Sequence, residues 1–210
     1  MTKRQILFVA LGLLLIVAAL ALTARNLMDD ARASMSAEVA LRQLSIELPT
    51  RPQTSAPTLP TGEGTDEENI PDYILNPEMD MPVREIDGSS YVAVLSIPDL
   101  ELALPIAAEA TDAALRLTPA RYSGSAYLND LVIAGHNYTS HFAKLYTLKQ
   151  GAQIELTDMD GNVFRYAVLD QERLLPSDID GMTTGDWDMT LFTCTVGRQY
   201  RIAVRCIRTQ

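Results

Sequence analysis

Residues 6–22 read ILFVALGLLLIVAALAL, without one charged or strongly polar side chain. A helix rising about 1.5 Å per residue and extended to Ala24 spans roughly the ~30 Å hydrocarbon core of a bilayer. The run therefore predicts a transmembrane helix over 6–24. Lys3 and Arg4 precede it, and Asp29 and Asp30 follow soon after Arg25. The positive-inside rule leaves residues 1–5 in the cytoplasm, with everything downstream on the outer face of the cell membrane. A cleaved signal peptide is the rival reading, with Ala19 and Ala21 as small residues for a cleavage site. The run exceeds the ~7–15 residues of a signal's apolar region, which favours an uncleaved anchor in contact with lipid.

The segment 25–48 has helix-forming composition, with Leu27, Ala31, Met35, Val39, Leu41, Leu44 and Leu48 recurring every three or four positions before Pro49. A juxtamembrane helix is expected there. Prolines 49, 52, 57, 60, 71, 77 and 82 then fall among Thr, Ser, Gly and acidic residues. Such a composition offers too little apolar area to offset chain entropy, so 49–88 reads as a stiff acidic linker. Leu59-Pro60-Thr61-Gly62 within it is treated as a coincidence of composition. The net charge is -10. Without a basic stripe, nucleic acid is excluded as a partner.

The globular part is read as 89–210. Tyr91–Ile97, Leu131–Ala134, Gln153–Thr157, Val163–Leu169, Thr190–Thr193 and Tyr200–Ile207 are apolar or alternating runs with β-branched and aromatic residues. Asp160-Gly161 between the third and fourth is a hairpin signal, and Gly197 lies between the last two. Ser140–Leu148, with Phe142, Leu145 and Leu148 on one face, reads as the one clear helix. Many short strands closing on one another predict a mainly β fold, a closed β-barrel with short helices behind the anchor and linker.

Nucleophilic acyl transfer needs a thiolate or alkoxide, a base in reach, and a donor aimed at the developing oxyanion. Cys194 ends an apolar strand before a turn, His136 follows a buried strand and Gly135, and Arg201 opens the last strand. If 189–194 pairs antiparallel with 201–206, Cys194 lies opposite Arg201 on one face. By the same parity Cys206 faces away, too misdirected for a disulfide to Cys194, and reads as a buried, inert thiol. On residue chemistry alone the alternatives stay open: a core cysteine, a hydrogen-bonded surface histidine and a solvent-facing arginine. With two Cys and two His in the chain and no ligand spacing between them, no metal site and no cofactor are expected.

The stretch Thr190-Leu191-Phe192-Thr193-Cys194 resembles the Thr-Leu-x-Thr-Cys motif of the sortase family, and Arg201-Ile-Ala-Val-Arg its Arg-bearing last strand. Ala-Gly-His136-Asn is similar to the family's Gly-His. Phe142-x-x-Leu145 before Gly151-x-x-Ile154, and Tyr91-x-x-x-Leu95-x-Ile97-Pro98, resemble flanking segments, so the likeness covers roughly Tyr91 to Ile207. The resemblance implies a cysteine transpeptidase that cleaves a Leu-Pro-x-Thr-Gly-like sorting signal and passes the acyl group to a cell-wall or pilin amine. Cys194 would be nucleophile, His136 acid and base, and Arg201 the cation holding substrate and oxyanion. Thr193 would support the substrate, and Leu174, Leu175, Pro176, Ile179 and Met182 would wall the pocket for the signal's Leu and Pro. Arg198 is the rival cation and His141 the rival base.

The subclass stays open. The connection 170–188 is short for a B-type enzyme, and neither a second anchor after Ile207 nor an Asp-Pro-aromatic lid marks a typical C-type. Two other readings remain: an exported β-barrel binding module without catalysis, and an L,D-transpeptidase-like cysteine enzyme, which expects a His-Gly-Cys absent from Thr193-Cys194-Thr195.

Overall fold

The computed structural model describes residues 3–47 and 70–209. The element order is helix α1 (Lys3–Glu47), α2 (Asp72–Leu75), strands β1 (Arg84–Ile86), β2 (Ser89–Ile97) and β3 (Leu102–Ala107), α3 (Asp112–Leu115), β4 (Ala120–Ser123), β5 (Leu131–Gly135), β6 (Gln153–Asp158), β7 (Val163–Leu174), α4 (Ile179–Thr183), β8 (Met189–Cys194) and β9 (Arg201–Arg208). The strands hydrogen-bond in the order β1-β2-β3-β4-β5-β8-β9-β7-β6, and β2 also pairs with β6. That last pairing closes β2 to β9 into an eight-stranded barrel, with β1 as a flap on β2. The ladders β3–β4 and β5–β8 are parallel and the others antiparallel. Closure removes the free edges that an open sheet of this size would expose. The barrel interior holds Leu95, Ile97, Ile106, Ile133, Leu156, Phe164, Tyr166, Leu191 and Val204.

The expected strands are present, and the sequence missed three. Pro105 sits inside β3 and breaks its strand signature, while β1 and β4 are too short to show a period. Between β6 and β7 the Asp-Gly hairpin forms with Gly161 at φ 81. The buried Asp158 carboxylate accepts from the Asn162 amide at 2.8 Å, the Asp160 amide at 3.0 Å and the Tyr127 hydroxyl at 2.7 Å.

The helix read over 140–148 is not one. The segment is a run of turns ending in a 3-10 turn at Leu145–Thr147, yet Phe142, Leu145 and Leu148 are buried as the pattern required. Tertiary bonds displaced the helix: Ser140 is tied to α1, and the Phe142 amide reaches back to the His136 carbonyl.

The linker expectation over 49–69 lies outside the described residues, whereas 70–88 is built into the fold. Tyr73 of α2 stacks on Tyr127 at 4.7 Å, Met81 is buried, and β1 pairs with β2. Residues 70–88 thus belong with the barrel, because a few aromatic and Met side chains in a Pro-rich stretch found apolar partners.

The segments expected as a transmembrane helix and a juxtamembrane helix are one continuous element. Residues Leu7–Ser45 contain a window long and apolar enough to cross a membrane, and none of that window is buried against protein. The face that packs on the barrel is Ala33, Ala37, Ala40 and Leu44; of the periodic apolar residues Leu44 is buried, while Leu27, Met35 and Val39 are exposed. Small side chains win there because they let the helix approach β3 and the β1–β2 hairpin closely.

Candidate active site

Two ladders decide which side chains meet. Parallel pairing of β5 with β8 sets Gly135 against Thr193, so His136 and Cys194 follow at neighbouring strand ends. Antiparallel pairing of β8 with β9 sets Cys194 against Arg201, as the sequence required. By alternation Thr190, Phe192 and Cys194 share an outer face with Arg201, Ala203 and Arg205. Met189, Leu191, Val204 and Cys206 point into the core.

The β8–β9 turn fixes this register. The Thr195 amide donates to the Tyr200 carbonyl at 2.8 Å, and the Tyr200 amide donates to the Thr195 hydroxyl oxygen at 3.2 Å. Gly197 and Arg198 carry the left-handed backbone that closes the loop, with φ 82 and 57. Both cysteines are free, Cys194 half-buried and Cys206 fully buried. Burial pushes the Cys206 thiol up to about 12, against the pull of the Arg205 charge, which makes it inert at ordinary pH.

Gly135 makes the turn into His136 possible. A Cβ there would meet the Phe142 ring at 2.5 Å, so only glycine lets the loop fold back over the end of β5. The half-buried His136 imidazole titrates below its ordinary value, chiefly because burial disfavours its charged form, then because Arg198 and Arg116 lie near; Asp112 opposes them. Its ring packs against Tyr138 at 5.1 Å, and Tyr138 in turn against His141 at 5.3 Å. His141, the rival base, is wholly buried. Burial lowers its pKa to about 4, against the Leu117 main chain and the Asp30 carboxylate, which pull it up.

The Arg201 guanidinium lies over the Phe192 ring at 5.2 Å, and its Nη1 is 2.7 Å from Met182 Sδ. Its Nε is buried and has no hydrogen-bond partner among the described residues, a donor left for something else. Arg198, the rival cation, sits exposed in the turn.

The expected wall residues separate into floor and rim. Leu174 pairs across from Arg201, and with Met182 it covers Val132, Ala134, Phe192 and Ala203. Leu175, Pro176 and Ile179 are exposed along the edge. Thr193 is only 3 % exposed and lies on the inner face of β8, so any support it gives to a substrate passes through its main chain. Two residues of the site escaped the sequence reading. Thr195 closes the turn, a role visible only once the loop is folded. Arg205 was readable from parity, since it stands two and four positions beyond Ala203 and Arg201 on one strand face.

A sortase domain is matched over residues 95–209. No curated protein matches the chain. Among solved structures it is similar to a sortase D5 transpeptidase of Clostridium perfringens, at 24% identity over 57% of this chain and 79% of that one with TM-score 0.51. It is also similar to sortase C of Streptococcus pneumoniae, at 22% identity over 57% and 69% with TM-score 0.52. Sortase C1 of Streptococcus agalactiae gives 25% identity over 60% and 71%, again at 0.52. At such identity the structural likenesses speak for the barrel, while the domain match spans more than half of the chain. The protein therefore belongs to the sortase family, a family of cysteine transpeptidases.

Proposed function

We propose that this sortase cleaves a Leu-Pro-x-Thr-Gly-like signal through a thioester on Cys194 and transfers the protein to a cell-wall or pilin amine. The observation that carries the reading is the Cys194–Arg201 pairing with His136 at the end of the adjacent parallel strand. The thiolate attacks the carbonyl of the scissile bond. The new C–S bond forms as the oxygen takes up the electron pair, beside the Arg201 guanidinium. Collapse expels the amine, to which His136 gives a proton. The neutral imidazole then takes a proton from the incoming amine, whose attack breaks the C–S bond, releases the thiolate and makes the new amide. Leu174 and Met182 supply the apolar floor for the signal, with Leu175, Pro176 and Ile179 at its rim.

We place the apolar half of α1 in the cell membrane as a single-pass anchor, with residues 1–5 on the cytoplasmic side and the barrel outside, on the charge asymmetry around the run. The detergent-solubilised full chain, given a quenched Leu-Pro-x-Thr-Gly peptide library and an amine, should release a fluorescent fragment and form a peptide–amine product. Cys194→Ala should lower turnover by on the order of 10³-fold or more. Cleavage by Cys194→Ala at the wild-type rate would sink the thioester route.

A further inference from the structure

The outer face of β9 holds a second arginine, and no step of the chemistry above uses it. Arg205 is fully enclosed, its side chain 2% exposed, by the connection between β7 and β8. Its Nε and Nη2 donate to Glu172 Oε2 at 3.0 and 2.7 Å, and its Nη1 donates to the Thr190 hydroxyl at 3.0 Å and the Met182 carbonyl at 3.2 Å. Nη2 also donates to the Gly181 carbonyl. These five bonds engage every N–H that a guanidinium carries. One planar face lies 4.0 Å from the Trp187 ring. That ring reaches its place over Gly185, where a Cβ would meet it at 2.0 Å.

The partners come from three places. Glu172 belongs to β7 and Thr190 to β8, while Gly181 and Met182 belong to α4. Arg205 thus pins the middle of a connection whose ends are already fixed by strands. The short α4 has little else to hold it: the Asp178 carboxylate caps it at the Gly181 amide, and Ile179 is exposed. Met182 is the residue that α4 sends inward, onto the floor and against Arg201. Its carbonyl is one of the Arg205 acceptors.

We propose that Arg205 is a positioning residue for substrate selection: it pins α4 so that Met182 and Leu174 present a preformed floor to the apolar part of the signal. This rests on the transpeptidase reading of the cleft. A lysine keeps the charge and loses the planar fork, so it serves at most some of the acceptors and leaves buried carbonyls unpaired. The floor then becomes mobile while Cys194, His136 and Arg201 keep their strand-end places.

The test uses the full chain in detergent, with Arg205→Lys and the milder Glu172→Gln. Hydrogen exchange over residues 177–187 should speed up in both, relative to β8 and β9. The emission of Trp187, the only tryptophan, should move toward that of an exposed indole. With a cleaved signal peptide, KM for Arg205→Lys should rise on the order of ten-fold while kcat stays within about two-fold, and the preference between Leu and smaller residues at the signal's first position should flatten. A lesion of the barrel as a whole would instead lower kcat and slow Cys194 labelling by a small thiosulfonate. Unchanged KM and preference in variants whose exchange has risen would overturn the selection role; unchanged exchange would overturn the pinning itself. A wild type that cleaves no peptide overturns the reading of the cleft and the selection role with it, and the exchange data then still decide the pinning.

Discussion

At the scale of single residues, the two arginines of β9 show how position decides role. Arg201, at the strand end, keeps Nε without a partner among the described residues, so part of its hydrogen-bonding capacity is not spent on them. Arg205, two pleat repeats further along the strand, spends all of it on protein. His136 is set apart from an ordinary histidine by its lowered pKa. In the proposed mechanism the neutral imidazole that would accept the incoming amine's proton persists to lower pH than in free histidine, while the imidazolium that would serve amine departure is scarcer at neutrality. In single-turnover measurements the acid limb of thioester aminolysis should lie below the ordinary histidine value near 6.5, and Arg198→Ala, which removes a nearby positive charge, should move it upward. The strand-end places of Cys194, His136 and Arg201 were legible from the motifs and from alternation. Thr193 was read as a cleft residue on adjacency alone, where β alternation turns its side chain inward.

Among the elements, strands announced themselves wherever apolar or alternating runs of β-branched and aromatic residues went uninterrupted by proline, and the β8–β9 register followed from alternation and one turn. What stayed hidden was decided by partners distant in sequence. Residues 140–148 have a helical pattern, yet the Asp30 carboxylate accepts the Ser140 amide at 3.1 Å and its hydroxyl at 2.7 Å, and these long-range bonds hold the segment in turns. The same bonds join α1 to the loop that carries His136. Asp30→Ala should destabilise the full chain by about 1 kcal/mol, seen as a shift of a few degrees in Tm, with hydrogen exchange rising first in 137–142. An exchange increase confined to α1 would show that the loop holds itself. The periodicity of 27–48 announced a helix but not its packed face, because hydropathy picks out large residues while close docking here uses Ala33, Ala37 and Ala40 beside Leu44.

For the molecule as a whole, the buried His141 ties stability to acidity. Its folded pKa is about 4 against an ordinary 6.5, so the unfolded chain binds this proton first as the pH falls. The stability present above about 6.5 should therefore be lost progressively down to about 4, and His141→Gln should flatten that part of a Tm–pH profile. An unaltered slope would assign the acid sensitivity to other groups. The continuity of α1 has a consequence of another kind. On the proposed placement of its apolar half in a bilayer, with its Ala33–Leu44 face packed on the barrel, the helix would act as a strut with no swivel between them. Asp30 lies six residues beyond Ala24, so docking starts only about 9 Å along the helix from the end of the apolar span. The cleft is then fixed in both height and heading, and it sweeps a thin layer parallel to the lipid. Encounter becomes a search in two dimensions, in which a signal carried at the right height meets the thiol by lateral drift and one held at another height passes by.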